Sequence, residues 1–287
     1  MLVAVCEVWA KETSRPPITH ISGVTILVSN LPASRQTYKQ VLAPGYSCDF
    51  CEDAAIPGFE LGTGQIITLE AAPVPQAKNL IEEVYFQTDD LKRMKRYLKT
   101  QRIKFEELNA GRTPLRVRVV DPDGHHISFI QSMGAGKMYP EGKVPLHLIH
   151  AGFVVRNRTA MEHFYQDLLG FRPYWHGGMK DDQTDWVSLQ VPDGTDWLEF
   201  MVNVPENADQ HLRGIMNHIA LGVPDIQQTR EQLVKNGVHL TEEPKLGRDG
   251  KWQLNLYDPD QTRIEFVEFT PKGKPCCSEF TGPHPKP

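Results

Sequence analysis

Apolar positions in the C-terminal half of the chain repeat one order of elements twice. The first round predicts a strand near 148–155, a helix near 158–169 and strands near 171–178, 184–191 and 196–203. The order then restarts, with a strand at 215–223, a helix at 225–237 and strands at 239–245, 251–257 and 262–269. Each round is a βαβββ unit. One unit alone would leave a face of its sheet exposed, so we expect the two units to pair.

The N-terminal half repeats this pattern with a period of about 130 residues. Residues 119–129 resemble residues 256–266, because each segment holds two apolar runs around an Asp-Pro-Asp turn. Residues 83–90 resemble residues 218–225, where an apolar strand meets an acidic helix start. The repeat therefore predicts two similar domains, each made of two βαβββ units.

The repeat divides the chain into five parts. They are an N-terminal tail at 1–17, a first domain at 18–133, a linker at 134–145, a second domain at 146–271 and a Pro- and Cys-rich tail at 272–287. The last segment either stays loose or folds back over the second domain with Phe280 as an anchor, and the sequence leaves both arrangements open.

Composition limits the classes of function. The chain has 287 residues, a formal net charge of -5 and 40% hydrophobic residues, which suits a globular protein with real cores. Mild acidity gives no reason to expect nucleic acid or an anionic membrane as a partner. The N-terminus lacks a basic region ahead of its short apolar run, so we interpret it as a tail and expect a cytoplasmic protein.

The five cysteines are consistent with a cytoplasmic protein. Cys48 and Cys51 have the spacing of half a zinc site, but no second pair completes it. Cys6, Cys276 and Cys277 follow no ligand spacing either, and Cys276 and Cys277 are predicted to be solvent-side thiols. We therefore expect reduced cysteines.

Four stretches of the second domain together resemble the vicinal oxygen chelate superfamily, which includes glyoxalase I, methylmalonyl-CoA epimerase, bleomycin resistance proteins and extradiol dioxygenases. These stretches are 148–155, 164–171, 217–223 and 257–266. The resemblance implies an α+β fold of four βαβββ units in two tandem domains. Each domain would be a curled, eight-stranded mixed sheet with flanking helices.

The resemblance also implies a metal site in the second domain. His150, His218 and Glu265 fall where the superfamily places its ligands, and Glu199 falls where glyoxalase I and the epimerases carry a fourth one. Two imidazoles with carboxylate oxygens suit a divalent Fe, Mn, Ni, Co or Zn ion and leave open positions for substrate and water.

The first domain serves as an internal control for this hypothesis. The positions that match His150, His218 and Glu265 hold Gly23, Glu83 and Ser128. None of these three keeps the imidazole or carboxylate of its counterpart, so we expect the first domain to bind no metal.

Three functions remain open. The first is isomerase or lyase chemistry of the glyoxalase or epimerase type through an enolate or oxyanion, with Glu199 or Glu265 carrying the proton and His176 as a further acid or base. The second is Fe(II)-dependent oxygenation, although Asn255 stands where extradiol dioxygenases carry a tyrosine. The third is a binding protein that sequesters a ligand without turnover.

The expected partner is a small molecule. Trp186, Arg248, Tyr174, Trp252 and Asn255 are predicted to contact it, because aromatic walls with a few polar groups suit a small organic ligand. The resemblance leaves a homodimer open.

Overall fold

The computed structural model describes residues 14–42, 58–73, 79–108, 115–131 and 146–287. Most of the N-terminal tail, the 134–145 linker and the residues Cys6, Cys48 and Cys51 lie outside this part of the chain. No helix within the described ranges is long and apolar enough to cross a membrane.

In its described residues the first domain is one mixed sheet with two helices on it. Its elements are β1 (Ile18–Val28), α1 (Leu31–Leu42), β2 (Gly58–Glu60), β3 (Ile66–Ala71), β4 (Ile81–Thr88), α2 (Leu91–Thr100), β5 (Glu106–Leu108), β6 (Arg116–Val120) and β7 (His126–Gln131). The strand order is β2-β3-β1-β4-β7-β6-β5. Among the described residues this sheet has seven strands, whereas eight were predicted.

The second domain has an eight-stranded sheet in the order β13-β14-β15-β12-β8-β11-β10-β9. Its elements are β8 (His147–Val154), α3 (Arg158–Glu162, continued by π-helical turns at His163–Leu168), β9 (Arg172–Gly177), β10 (Trp186–Gln190), β11 (Trp197–Met201), α4 (Gln210–Met216), β12 (His218–Val223), α5 (Ile226–Lys235), β13 (Lys245–Leu246), β14 (Trp252–Tyr257) and β15 (Arg263–Glu268). The predicted α+β class and the tandem βαβββ plan are confirmed.

Two local predictions were wrong. The strand expected from 215 begins only at His218, because α4 occupies Gln210–Met216 and Asp209 caps its first turn by accepting from the Leu212 N–H. The strand expected at 239–245 shrinks to Lys245–Leu246, and the residues before it run as irregular chain on the edge of the sheet.

The two domains share one hydrophobic core and exchange hydrogen bonds in a nearly symmetric way. Tyr38 of α1 reaches the Asp258 carboxylate of the second domain at 3.4 Å. Tyr165 of the second domain reaches the Asp121 carboxylate of the first at 3.1 Å. Each Asp-Pro-Asp turn thus accepts a hydrogen bond from a tyrosine hydroxyl on the first helix of the opposite domain. These two bonds connect the repeats.

The C-terminal segment folds back over the second domain. The Phe280 ring lies 4.9 Å from the Tyr174 ring, and the Thr281 N–H donates to the Tyr174 carbonyl at 3.0 Å. Cys276 and Cys277 form a disulfide with each other, so the prediction of two free thiols there is wrong.

Candidate metal centre

The four predicted ligands come from four adjacent strands at the centre of the second sheet. Glu199 lies on β11, His150 on β8, His218 on β12 and Glu265 on β15, and these strands neighbour each other in the order β15-β12-β8-β11. Strand pairing therefore brings together side chains that are up to 115 residues apart (265 − 150 = 115).

The strand register places these four side chains in two rows on one face of the sheet. In the first row Ala220 separates His150 from Glu265. In the second row, two residues further along β8, Gly152 separates Glu199 from His218. Small residues between the ligands leave the space that the larger side chains need in order to lean towards one another.

The four side chains converge on one point. The Nε2 atoms of His150 and His218 are 3.0 Å apart. The Glu199 Oε2 atom lies 3.2 Å from His218 Nε2, and the Glu265 Oε2 atom lies 3.6 Å from His150 Nε2. His150, Glu199 and His218 form the tighter group, with all ligand atoms within 4.8 Å of each other, and Glu265 joins it through His150.

Both imidazoles are held neutral. Burial lowers the pKa of His150 and of His218 well below the ordinary histidine value. The Glu199 charge opposes this shift at His150, and the nearby Arg263 charge lowers both pKa values further. A neutral imidazole offers a lone pair on one ring nitrogen, which is the form that binds a metal. Without an ion between them, the two Nε2 atoms, which are 3.0 Å apart, would compete for a single proton.

The donor separations fit a divalent ion. Two nitrogen ligands at the usual 2.0–2.1 Å from one ion are about 3.0 Å apart at right angles and about 3.4 Å apart in a tetrahedron. The observed separations of 3.0, 3.2 and 3.6 Å lie around these values. The second domain therefore holds a donor set that suits an ion, as the sequence predicts.

The first domain fills the matching positions with an internal ion pair. Glu83, which stands in for His218, is only 2% exposed and accepts two hydrogen bonds from Arg118 at 3.1 and 2.6 Å. Ser128, which stands in for Glu265, donates to the same carboxylate. Burial alone would raise the pKa of Glu83, but the bonds from Arg118 and Ser128 lower it below the ordinary value. In the first domain the Arg118 guanidinium thus supplies the positive charge that an ion would supply in the second domain.

A cavity of about 390 Å³ opens beside the four side chains. His150, Glu199 and Glu265 line it. Its other walls are mainly aromatic and apolar, with several polar groups: Tyr174, Trp175, Met179, Trp186, Ser188, Trp197, Ile215, Lys245, Leu246, Gly247, Arg248, Asp249, Gln253, Asn255, Tyr257, Arg263, Val267 and Phe280. A concave, mainly apolar site with a few convergent polar groups is typical of a pocket for a small molecule.

Four of the five predicted substrate contacts lie on this cavity, namely Trp186, Arg248, Tyr174 and Asn255. Trp252 does not. It lies on β14 one residue out of phase with Gln253 and Asn255, so its ring packs against the hydrophobic core on the opposite face.

His176, predicted to be a further acid or base, also lies away from the cavity. Its side chain is exposed, and it is not among the residues that line the cavity. Its backbone instead exchanges two hydrogen bonds with Ser278 of the C-terminal segment, at 2.9 and 3.0 Å. The residue therefore anchors the tail by its main chain and does not line the cavity beside the candidate metal centre.

Arg263 is a cavity residue that the sequence analysis missed. It precedes Glu265 by two residues on β15, so both side chains leave the same face of the strand. This spacing is the signal that could have identified it.

Lys251 is fully buried behind the cavity wall. Its Nζ atom lies 4.6 Å from the centre of the Trp197 ring and 5.3 Å from that of Phe280. Burial lowers the pKa of Lys251 to about 8, although Asp249 opposes the shift. The lysine thus links the C-terminal segment to Trp197, whose ring centre lies 4.6 Å from that of His150.

The second domain also resembles known proteins in sequence. Residues 147–266 match the family model described as Glyoxalase/Bleomycin resistance protein/Dioxygenase superfamily. The lactoylglutathione lyase of Haemophilus influenzae is 28% identical over 125 residues, which cover 43% of this chain and 93% of that protein. A glyoxalase I of Saccharomyces cerevisiae is 30% identical over 90 residues, which cover 31% of this chain and 28% of that protein. The resemblance stated from the sequence is confirmed.

Solved structures extend the likeness to both domains. A catechol 2,3-dioxygenase superposes with a TM-score of 0.67 at 15% identity, covering 92% of this chain and 91% of that one. A 2,3-dioxygenase from Pseudomonas gives a TM-score of 0.66 at 16% identity, covering 96% of each chain. At such identities the likeness shows a common fold and no common reaction.

Proposed function

We propose that this chain, whose second domain carries the sequence pattern of the Glyoxalase/Bleomycin resistance protein/Dioxygenase superfamily, is a divalent-metal-dependent enzyme acting on a small oxygen-bearing organic molecule. The proposal rests on two neutral imidazoles whose Nε2 atoms are 3.0 Å apart, with carboxylate oxygens at 3.2 and 3.6 Å, beside a cavity that His150, Glu199 and Glu265 line. His150, His218, Glu199 and Glu265 would hold the ion, which would polarise a substrate oxygen when bound.

The first choice of reaction is isomerase or lyase chemistry of the glyoxalase or epimerase type. Two carboxylates in the donor set support it, because this chemistry moves a proton between neighbouring substrate atoms. The relative named lactoylglutathione lyase, of which this chain covers 93%, supports it as well.

Glu199 is the proposed proton carrier. It faces the cavity, and its Oε2 atom lies in the donor set at 3.2 Å from His218. Its Oε1 atom accepts a hydrogen bond from the Ser188 hydroxyl at 3.4 Å and is not the oxygen that belongs to the donor set. This oxygen would take a proton from one substrate carbon and return it to the neighbouring atom, so that no net proton is gained or lost.

An activity assay with one variant tests this role. The Ni-, Co- or Zn-loaded chain should isomerise a hemithioacetal or epimerise a related substrate, and Glu199→Gln should lower kcat about 100-fold or more. The exposed Glu206→Gln serves as the control and should keep full activity. Full activity in Glu199→Gln with normal metal content would rule out the proposed role.

Fe(II)-dependent oxygenation is the second candidate. It is favoured by the tight group of His150, Glu199 and His218, because two histidines and one carboxylate form the facial set of non-haem Fe(II) oxygenases. Oxygen uptake with catechols by the iron-loaded chain, without isomerisation under nitrogen, would favour this candidate over the first.

A further inference from the structure

Two polar atoms beside the donor set are buried and have no hydrogen-bond partner among the described residues. They are the Asn255 Oδ1 atom and the Arg263 Nε atom. Both residues line the cavity, and Asn255 lies directly opposite Glu265 in the β14–β15 ladder. A buried polar group without a partner is costly, so a ligand with a complementary group at each atom would be stabilised there.

The Asn255 amide turns its oxygen away from Glu242, and the residue lines the cavity. Its Nδ2 atom donates to Glu242 Oε2 at 3.4 Å, and Glu242 also accepts from Lys245 at 2.8 Å and from Tyr257 at 2.5 Å. Burial would raise the pKa of Glu242, but these three bonds lower it below the ordinary value. An ionised carboxylate only accepts hydrogen bonds, so the amide nitrogen must face Glu242 and the oxygen must face away from it.

Arg263 offers the opposite kind of group. An arginine side chain only donates hydrogen bonds and carries a positive charge. No carboxylate of the described residues forms an ion pair with it, whereas Arg118 of the first domain is fully engaged with Glu83. In the ladder Arg263 lies next to His218 on one side and Tyr257 on the other, at the floor of the same cavity.

We propose that the substrate is an α-hydroxy carboxylate, whose hydroxyl donates to Asn255 Oδ1 and whose carboxylate accepts from Arg263. This inference rests on the proposed function, because the same two adjacent substrate oxygens would face the metal-binding side chains. The aromatic wall around Trp186 suits an apolar substituent on the α-carbon. A catechol has two donors and no anionic group, so it complements only the asparagine.

Four probes of similar size separate the two contacts. Mandelate carries both groups, phenylacetate lacks the hydroxyl, 1-phenyl-1,2-ethanediol lacks the carboxylate, and catechol is the dihydroxy alternative. Binding to the Zn-loaded full chain is followed by quenching of tryptophan fluorescence, since Trp175, Trp186 and Trp197 line the cavity. Mandelate should bind at least about tenfold more tightly than each of the other three probes.

Two variants assign each preference to its residue. Asn255→Leu should abolish the preference for mandelate over phenylacetate and keep that for mandelate over the diol. Arg263→Met should do the reverse. Arg230→Met removes a half-exposed arginine that pairs with Glu243 and does not line the cavity, and both preferences should persist in it.

The wild-type comparison decides the proposal even if a variant fails to fold. Equal binding of mandelate and phenylacetate, or tighter binding of catechol, overturns the substrate class. Both preferences persisting in folded Asn255→Leu and Arg263→Met would also overturn it. Metal content is measured on the same samples. A chain that binds Zn without these preferences refutes only the substrate class, whereas a chain that binds no metal refutes the proposed function and this inference together.

Discussion

Gly152 and His218 lie directly opposite each other in β8 and β12, and the imidazole of His218 occupies the space above the glycine. A Cβ atom at position 152 would lie 1.9 Å from Cε1 and 2.5 Å from Nε2 of that ring. The glycine therefore fixes where the imidazole can point. It acts on the candidate centre without offering a ligand atom.

Gly152→Ala should weaken metal binding without removing a ligand. The added methyl group must displace the His218 ring, because real Cβ atoms do not approach other atoms so closely. We expect at least about a tenfold loss of affinity, in line with the effect of mutating groups that orient metal ligands. Competition with a fluorescent chelator measures it.

Gly222→Ala is the matched control, on β12, the strand that carries His218. Its Cβ would lie 2.3 Å from the Phe269 ring, so the substitution is equally crowded but touches no predicted ligand. It should lower the free energy of unfolding and leave metal affinity unchanged. Equal affinities in wild type and Gly152→Ala would show that the glycine does not position His218.

The ion pair of the first domain should be structural. Arg118→Met leaves the 2% exposed Glu83 carboxylate without its main partner, although Arg116 remains 3.5 Å away. Breaking a buried pair in this way costs about 3–5 kcal/mol, and we expect an effect near the lower end because Arg116 persists. Urea unfolding measures the loss, and metal content should not change.

The same variant has a defined pH dependence. The pKa of Glu83 is below its unfolded value, so the ion pair stabilises the wild type above the unfolded pKa, and this stabilisation is lost as the pH falls through the folded pKa. The difference in unfolding free energy between wild type and Arg118→Met should therefore shrink in acid. A difference that stays constant from pH 7 to pH 3 would contradict this explanation.

The exchanged tyrosines should couple the two domains. Tyr165→Phe removes a 3.1 Å hydrogen bond to the buried Asp121 carboxylate, and we expect it to cost about 1–3 kcal/mol. Tyr38→Phe should cost less, because its bond to Asp258 is longer at 3.4 Å. Both losses should appear in a single unfolding transition, and separate transitions for the two halves would argue against the shared core.

Lys251 should make stability rise with pH in the alkaline range. Its pKa is about 8 in the folded chain because of burial. Below that pH both states carry the proton, and the folded state bears the full cost of the buried charge. Between pH 8 and the unfolded value only the unfolded chain keeps the proton, so unfolding becomes harder by about 3 kcal/mol in total.

Lys251→Met lacks this titration. The unfolding free energies of metal-free wild type and variant are measured from pH 7 to pH 10. As the pH rises, the value for the wild type should increase relative to that for the variant. Parallel curves would show that the lysine is not buried as a charge.

The sequence predicted most of the fold because its signals are local and repeated. Strand alternation, helix spacing and the two Asp-Pro-Asp turns appear in both halves, and tertiary contacts do not override them. The strand expected at 239–245 was wrong because an edge segment gains little from pairing. Trp252 lies on the core face of β14, because a one-residue phase decides which face a side chain occupies and aromatic character does not reveal that phase.

The candidate site was predictable only in part. The ligand types could be matched to the family pattern, but not the distances that make Glu199 closer to the histidines than Glu265. Gly152 and Ala220 matter through cross-strand register, which a single sequence does not display, whereas Arg263 could have been inferred from its two-residue spacing to Glu265. Lys251 and Phe280 meet only because the C-terminal segment folds back, and the sequence left that open.

Metal analysis of the purified full chain, after loading with Zn or Co and removal of excess ion, is the most direct test of the central claim. The wild type should retain about one ion per chain by mass spectrometry of the metal, and His150→Ala and His218→Ala should retain almost none. His20→Ala, which alters a histidine of the first domain, should keep the wild-type content. No retained ion in the wild type, or the same content in all four proteins, would contradict the assignment of a metal centre to His150, His218, Glu199 and Glu265.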